Sequence, residues 1–203
     1  MKPGILPRPK PIAAYLGLTA WAVICVLMGA SLLADHLLTL PAPAAASLRD
    51  VVAAQRRVDQ RDRWLVLHVV AAGCGCSARV LEHLLATPRP PGVIERVVFV
   101  VEPGGVAPAA AIRDHGFDLD VVTPDELGAR YHVEAAPLLV VVDPHDGVRY
   151  VGGYTPRKQA ADLRDLAVIA ATRRGETVPP LPAFGCAVGR ALRSKLDPLG
   201  FRN

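Results

Sequence analysis

The chain is short of rings: Phe, Tyr and Trp together make up 5% of its 203 residues. A core must therefore be filled by small and branched aliphatic side chains, and the apolar fraction of 51% is ample for one packed domain. The length excludes two large domains. No basic stripe interleaved with aromatics is present, and no zinc-finger spacing of Cys and His, so no nucleic-acid partner is expected. The net charge of +4 does not revive one. Lys2, Arg8 and Lys10 supply three of the 23 basic residues, and the remaining 20 stand against 19 acidic ones.

Charge is missing altogether from Ile12 to Leu33, "IAAYLGLTAWAVICVLMGASLL". That run meets the roughly 20 residues a helix needs to cross a bilayer. Three cationic residues precede it and no Lys or Arg follows until Arg49. The positive-inside rule then predicts a cytoplasmic basic segment (1–11), a single-pass anchor (12–34) and everything beyond it outside the cytoplasm. The competing reading is a cleaved signal peptide, with Gly29, Ala30, Ser31 and Ala34 as a processing site, although the run exceeds the usual core of about 7–15 residues. Both readings put the folded part where a thiol pair can cycle with a disulfide. Cys25, inside the run, reads as a small apolar residue.

Beyond the anchor, residues 35–46 contain the Pro/Ala-rich stretch "TLPAPAAA", expected as a tether. Ser47 reads as the N-cap of an amphipathic helix of about four turns, with Leu48, Val51, Val52, Gln55 and Val58 on one face. "WLVLHVVA" (64–71) is a near-continuous apolar run, the pattern of a strand covered on both faces. A helix is expected from Ser77, stopped by "TPRPPG", and then a strand in "VVFVVE" (97–102). A short helix ending at Gly116, a short strand "LDVV" and a helix opened by Thr123 with Pro124 at its first position follow. "PLLVVVD" and "VRYVGG" flank "PHDG" as a hairpin, and a closing helix is predicted from Thr155 to Gly175. Strands alternating with helices, then one hairpin, predict an α/β domain over 47–175 with a mixed sheet between helices. The tail, 176–203, has a Pro-rich start and a basic helical pattern in "CAVGRALRSKL".

Of only four cysteines, two stand one residue apart in "GCGCS", between the first strong strand and its helix. With "VEAAPLLVVVDPHDGVRYVGGY" some sixty residues later, this arrangement resembles the thioredoxin superfamily. The resemblance covers residues 47 to about 173. It implies that Cys74 is the attacking sulfur, that Cys76 resolves the mixed disulfide, that Pro137 is the cis proline beside them, and that Gly152 and Gly153 follow the last strand. With the anchor in front, the resemblance is to the membrane-tethered thioredoxin-like proteins of the bacterial envelope. That implies an inner-membrane thiol–disulfide oxidoreductase or isomerase with a periplasmic domain, acting on protein thiols or disulfides without a cofactor.

The family's usual motif is Cys-x-x-Cys, whereas this chain has Cys74-Gly75-Cys76. Residues two apart lie roughly 5.5 to 7 Å from each other, so a disulfide closes only under strain, which Gly75 eases and which makes the pair more oxidising. The N-terminal end of the following helix favours the Cys74 thiolate. Two other classes remain open. One is a copper-binding assembly factor similar to the Sco family, with Cys74, Cys76 and His145 as ligands and His132 as a further donor, although that family spaces its cysteines by three residues. The other is a redox-inactive thioredoxin-like binding module. His68 and His83 are near enough in sequence to tune the thiolate, with a packed core residue and an exposed residue as the plain alternatives, and His115 reads as a helix-end residue. Cys186, in "AFGCAVG", is a candidate third redox cysteine or third thiolate ligand if the tail docks, and otherwise a packed residue.

Overall fold

A computed structural model of the chain describes residues 11–158 and 160–196. Lys2, Arg8 and Lys10, with the rest of the basic N-terminal segment, and the last seven residues of the tail lie outside the described residues. The chain divides into two units, the first ending at Leu38 and the second beginning at Thr39. Among its described residues the first has one helix, α1 (Pro11–Leu37). Within it Ile12–Ala30 is long and apolar enough to span a bilayer, with a mean hydropathy of 2.0.

The second unit runs, in order, α2 (Ala45–Gln55), β1 (Trp64–Ala71), α3 (Gly75–Ala86), β2 (Val93–Val100), α4 (Ala109–Asp114), β3 (Asp118–Val122) and α5 (Pro124–Tyr131). Then come β4 (Ala135–Ala136), β5 (Leu138–Val142), β6 (Val148–Gly152), α6 (Asp165–Arg173), β7 (Cys186–Ala187) and α7 (Arg190–Leu196). The main sheet has the order β3-β2-β1-β5-β6. β1 is parallel to β2 and β2 to β3, while β5 is antiparallel to both β1 and β6. β1 lies at the centre, and both its faces are buried, as its continuous apolar run requires.

Alternation along β1 divides the core into two layers. Leu65, Leu67 and Val69 pack with Leu48 and Val52 of α2, Leu127 of α5 and Leu192 of α7. Val66 and Val70 pack with Val80 and Leu84 of α3, Ile112 of α4, and Val168 and Ile169 of α6. Helices thus cover both faces of a mixed sheet, the architecture of a thioredoxin-like fold. α5 starts as its sequence directs: the Thr123 hydroxyl accepts from the Glu126 N–H, the Glu126 carboxylate accepts from the Thr123 N–H, and Pro124 takes the first turn.

Three segments differ from their expected form. α2 begins at Ala45, so Ser47 lies inside its first turn and donates its hydroxyl to the Ala44 carbonyl instead of capping. The helix ends at Gln55, and Val58–Gln60 form a separate short turn. The closing helix starts at Asp165 rather than Thr155, because the Thr155 hydroxyl bonds the Arg157 carbonyl and the Arg164 N–H returns to the Tyr154 carbonyl. The stretch expected as a tether is partly built into the fold: Leu40 is buried, and its N–H bonds the Ala183 carbonyl at 2.8 Å.

Candidate active site

β1 delivers the chain to the carboxyl end of the parallel strands, between its two neighbours β2 and β5, where strand order switches and clefts form. Gly73 makes the exit turn with φ +72°, a conformation that penalises any side chain. Cys74 follows as the N-cap of α3, with extended backbone and 3% exposure. Its carbonyl accepts from the Ala78 N–H at 2.9 Å. No acidic residue stands in the first turn of α3, so the unpaired N–H groups there present an uncontested positive end to the Cys74 sulfur.

The peptide bond between Ala136 and Pro137 is cis. The Ala136 carbonyl oxygen lies 3.7 Å from Cys74 Sγ. Pro137 thus follows directly on the residue whose carbonyl faces the Cys74 sulfur.

The expected pairing of Cys74 with Cys76 is not present. Cys74 is joined to Cys186 across 112 residues of chain, with 6.0 Å between the α carbons, and Cys76 is a free, half-buried thiol. Because α3 starts at Gly75, Cys76 is already its second residue while Cys74 stands just outside it. Positions two apart on a helix do not face each other, which separates the two side chains however close they are in sequence. Gly75 keeps ordinary helical backbone, so the special turn belongs to Gly73.

Cys186 is brought in by a strand, not by the expected helix. β7 pairs antiparallel with β4, with Ala136 opposite Cys186 and Ala135 opposite Ala187. The Val188 and Gly189 N–H groups continue onto the Glu134 carbonyl, at 2.7 and 3.0 Å. Upstream, the Gly153 N–H bonds the Leu181 carbonyl at 2.8 Å, and the Leu181 N–H bonds the Tyr150 hydroxyl at 3.1 Å. Helical pattern resumes only in α7, where Leu192 is buried and Arg193 meets Glu102 at 2.8 Å.

The histidines are dispersed. His145 lies in the turn after β5, beyond Val142, which pairs with Leu65 at the start of β1, whereas Cys74 follows the other end of β1. At about 3.3 Å per strand residue, the length of the sheet separates them, so Cys74, Cys76 and His145 do not converge. His132, exposed at the end of α5, is in the left-handed region with φ 53°. No group of three or more His, Cys, Asp or Glu suited to hold a metal occurs among the described residues. His115 caps α4 and contacts the Ala111 carbonyl at 2.8 Å.

His68 and His83 belong instead to a buried polar network beneath α3 that the sequence pattern does not announce. His68, fully buried, contacts the Tyr154 hydroxyl at 2.9 Å and the Glu95 carboxylate at 3.3 Å. Arg89 links Glu95 (2.6 Å) to Asp165 (2.9 Å), and the other Asp165 oxygen meets His83 at 2.9 Å. Burial opposes ionisation of Glu95, but hydrogen bonding and charge from His68 and Arg89 outweigh it and hold the carboxyl below its ordinary range. Asp165 is likewise held low against its burial, mainly by the Arg89 charge. Burial, with the Asp165 charge beside it, pushes the Tyr154 phenol well up.

Another residue of the site was not foreseen. Ser77 stands three positions after Cys74, the place of the second cysteine in a Cys-x-x-Cys motif, and is 1% exposed with no hydrogen-bond partner for its hydroxyl. Counting from Cys74 through "CGCS" gives that position directly. Together with Cys74, Gly73, Ala78, Leu81 and Phe99 it lines a mostly apolar hollow of about 450 Å³.

No protein-family model matches the chain, and no curated protein does. Solved structures do. An uncharacterized conserved protein from Geobacillus kaustophilus is similar over 64% of this chain and 78% of its own, at 16% identity and a TM-score of 0.50. A hypothetical protein from Sinorhizobium meliloti matches 75% of this chain and 91% of its own, at 14% identity and a TM-score of 0.46. A secreted disulfide oxidoreductase from Mycobacterium tuberculosis matches 56% of this chain and 84% of its own, at 20% identity and a TM-score of 0.37. Identities this low speak to fold alone.

Proposed function

We propose that this chain is a membrane-anchored thiol–disulfide oxidoreductase or isomerase, acting outside the cytoplasm on the thiols or disulfides of other proteins. The observation that carries the reading is the disulfide from Cys74, at the N-terminal end of α3 and beside Pro137, to Cys186 of the tail. A substrate thiolate attacks Cys74 Sγ, the Cys74–Cys186 bond breaks, and Cys186 departs as a thiolate that takes up a proton. A second substrate thiolate then attacks the substrate sulfur of the mixed disulfide and releases Cys74 as a thiolate, which the helix N-terminus stabilises. Two electrons pass from the substrate dithiol to the cysteine pair, and the reverse sequence reduces a substrate disulfide.

The anchor in this reading is α1, whose apolar stretch supports either a retained span or a signal sequence. Copper delivery has less support, since His145 is remote from the cysteines and Cys74 is already bonded to another sulfur. The test is disulfide exchange by the full chain in detergent, followed as insulin reduction and as oxidation of a dithiol peptide. Cys74→Ser is expected to abolish both, and Cys186→Ser to trap mixed disulfides on Cys74. Full turnover by Cys74→Ser would overturn the reading.

A further inference from the structure

From the geometry of the tail we infer, resting on the oxidoreductase reading, that residues 181–189 are the resident occupant of a polypeptide-binding edge. The substrates that replace them are extended segments with glycine immediately before the reacting cysteine. Cys74 is 3% exposed while the tail is seated, so a protein thiol reaches its sulfur only as the strand pairing on either side of Cys186 loosens, and the tail departs when the Cys74–Cys186 bond breaks. What holds the tail is what would hold its replacement. From Leu181 to Gly189 it takes backbone hydrogen bonds from Gly153, pairs with Ala135 and Ala136, and ends on the Glu134 carbonyl. Main-chain bonds of this kind accept any extended peptide, and specificity then comes from where side chains have room.

Room is absent at one position. A Cβ on Gly185 would lie 2.0 Å from the Ala136 carbonyl oxygen and 2.6 Å from Pro137 Cδ, so only glycine fits directly before the bonded cysteine. The domain is hollowed to match, since a Cβ on Gly153 would lie 2.0 Å from the Pro182 carbonyl oxygen. After the cysteine the occupant offers a small residue, Ala187, half-buried against the core. The last helix of the tail is held by Leu192, buried in the core together with Val188, and by ion pairs of Arg190 with Asp125 and Arg193 with Glu102 that are open to solvent and so individually weak. The tail is thus a strand that a matching segment can exchange with, its disulfide passing from Cys186 to the incoming cysteine.

Two synthetic peptides test this on the oxidised full chain: Ala-Phe-Gly-Cys-Ala-Val, which copies the tail, and Ala-Phe-Val-Cys-Ala-Val. Mass mapping follows the mixed disulfide on Cys74, alkylation follows the release of Cys186, and reduced glutathione serves as a small thiol that needs no strand edge. The glycine peptide is expected to form the mixed disulfide about ten-fold faster or more, since the valine peptide must give up at least one backbone hydrogen bond to fit. Equal rates for the two peptides would overturn the inference, as would glutathione exchanging while neither peptide does. If glutathione and both peptides all leave Cys74 bonded to Cys186, the oxidoreductase reading itself falls.

Discussion

Cys76 and Ser77 are neighbours on the first turn of α3 with different fates: one is a free, half-buried thiol, the other a buried hydroxyl with no partner. Alkylation of the oxidised chain under denaturing conditions is therefore expected to label Cys25 and Cys76 only, and full reduction to expose all four cysteines. Peptide mapping that instead found Cys186 labelled would show that Cys74 and Cys186 are not bonded to each other. For Ser77, a buried hydroxyl without a partner costs about 1–3 kcal/mol, so Ser77→Ala is expected to stabilise the oxidised chain by roughly 1 kcal/mol in a denaturant titration. A loss of stability would mean that the hydroxyl is bonded.

Cys74 and Pro137 were legible at this scale because a strand, a turn, a helix and a hairpin are local patterns. The choice of Cys186 was not, since a partner 112 residues away leaves no local trace and the nearer thiol attracts the inference.

At the scale of elements, periodicity located β1, α5 and the β5–β6 hairpin well, because each is bounded by its own turn or cap residues. It failed where tertiary contacts decide. Thr155-Pro156 looks like a helix start, yet the chain there turns back on Tyr154, and α6 begins only where Asp165 is drawn inward to Arg89. In the tail the same spacing that suggests a helix from Cys186 is overridden by the strand pairing to Ala135 and Ala136. Upstream of that pairing the tail passes close against the Gly153 backbone. Gly153→Ala should unseat the tail, seen as faster alkylation of Cys186 under mild reduction and a lower melting temperature. Gly128→Ala, in α5 with open space around it, is the control, expected to be neutral or stabilising by about 0.5–1 kcal/mol. Equal Cys186 reactivity in the two variants would show that the tail does not need the approach at Gly153.

At the scale of the whole second unit, the aliphatic core anticipated from a ring-poor composition is present, but it encloses charge that the sequence pattern hides. Glu95 and Asp165, which no motif or periodicity singles out, are both buried and joined through Arg89. Their carboxyl groups ionise more readily in the folded chain than in the unfolded one. The sign follows from linkage: the unfolded chain binds protons first as pH falls, so the network's contribution is complete above the ordinary carboxylate range of about pH 4 and is lost below it. Urea unfolding of the full chain in detergent is accordingly expected to give near-constant stability from pH 8 to about pH 5 and a steep decline below about pH 4. Asp165→Asn should flatten that decline while lowering stability at neutral pH by about 3 kcal/mol or more, because it leaves Arg89 buried beside one carboxylate instead of two. Equal stability of the parent chain at pH 3 and pH 7 would show that the charges offset nothing. The loss belongs to the layer under α3, so acid should loosen the helix that carries Cys74 before it frees the tail on the opposite face, and hydrogen exchange at pH 4 is expected to rise in α3 and α6 ahead of α2 and α5.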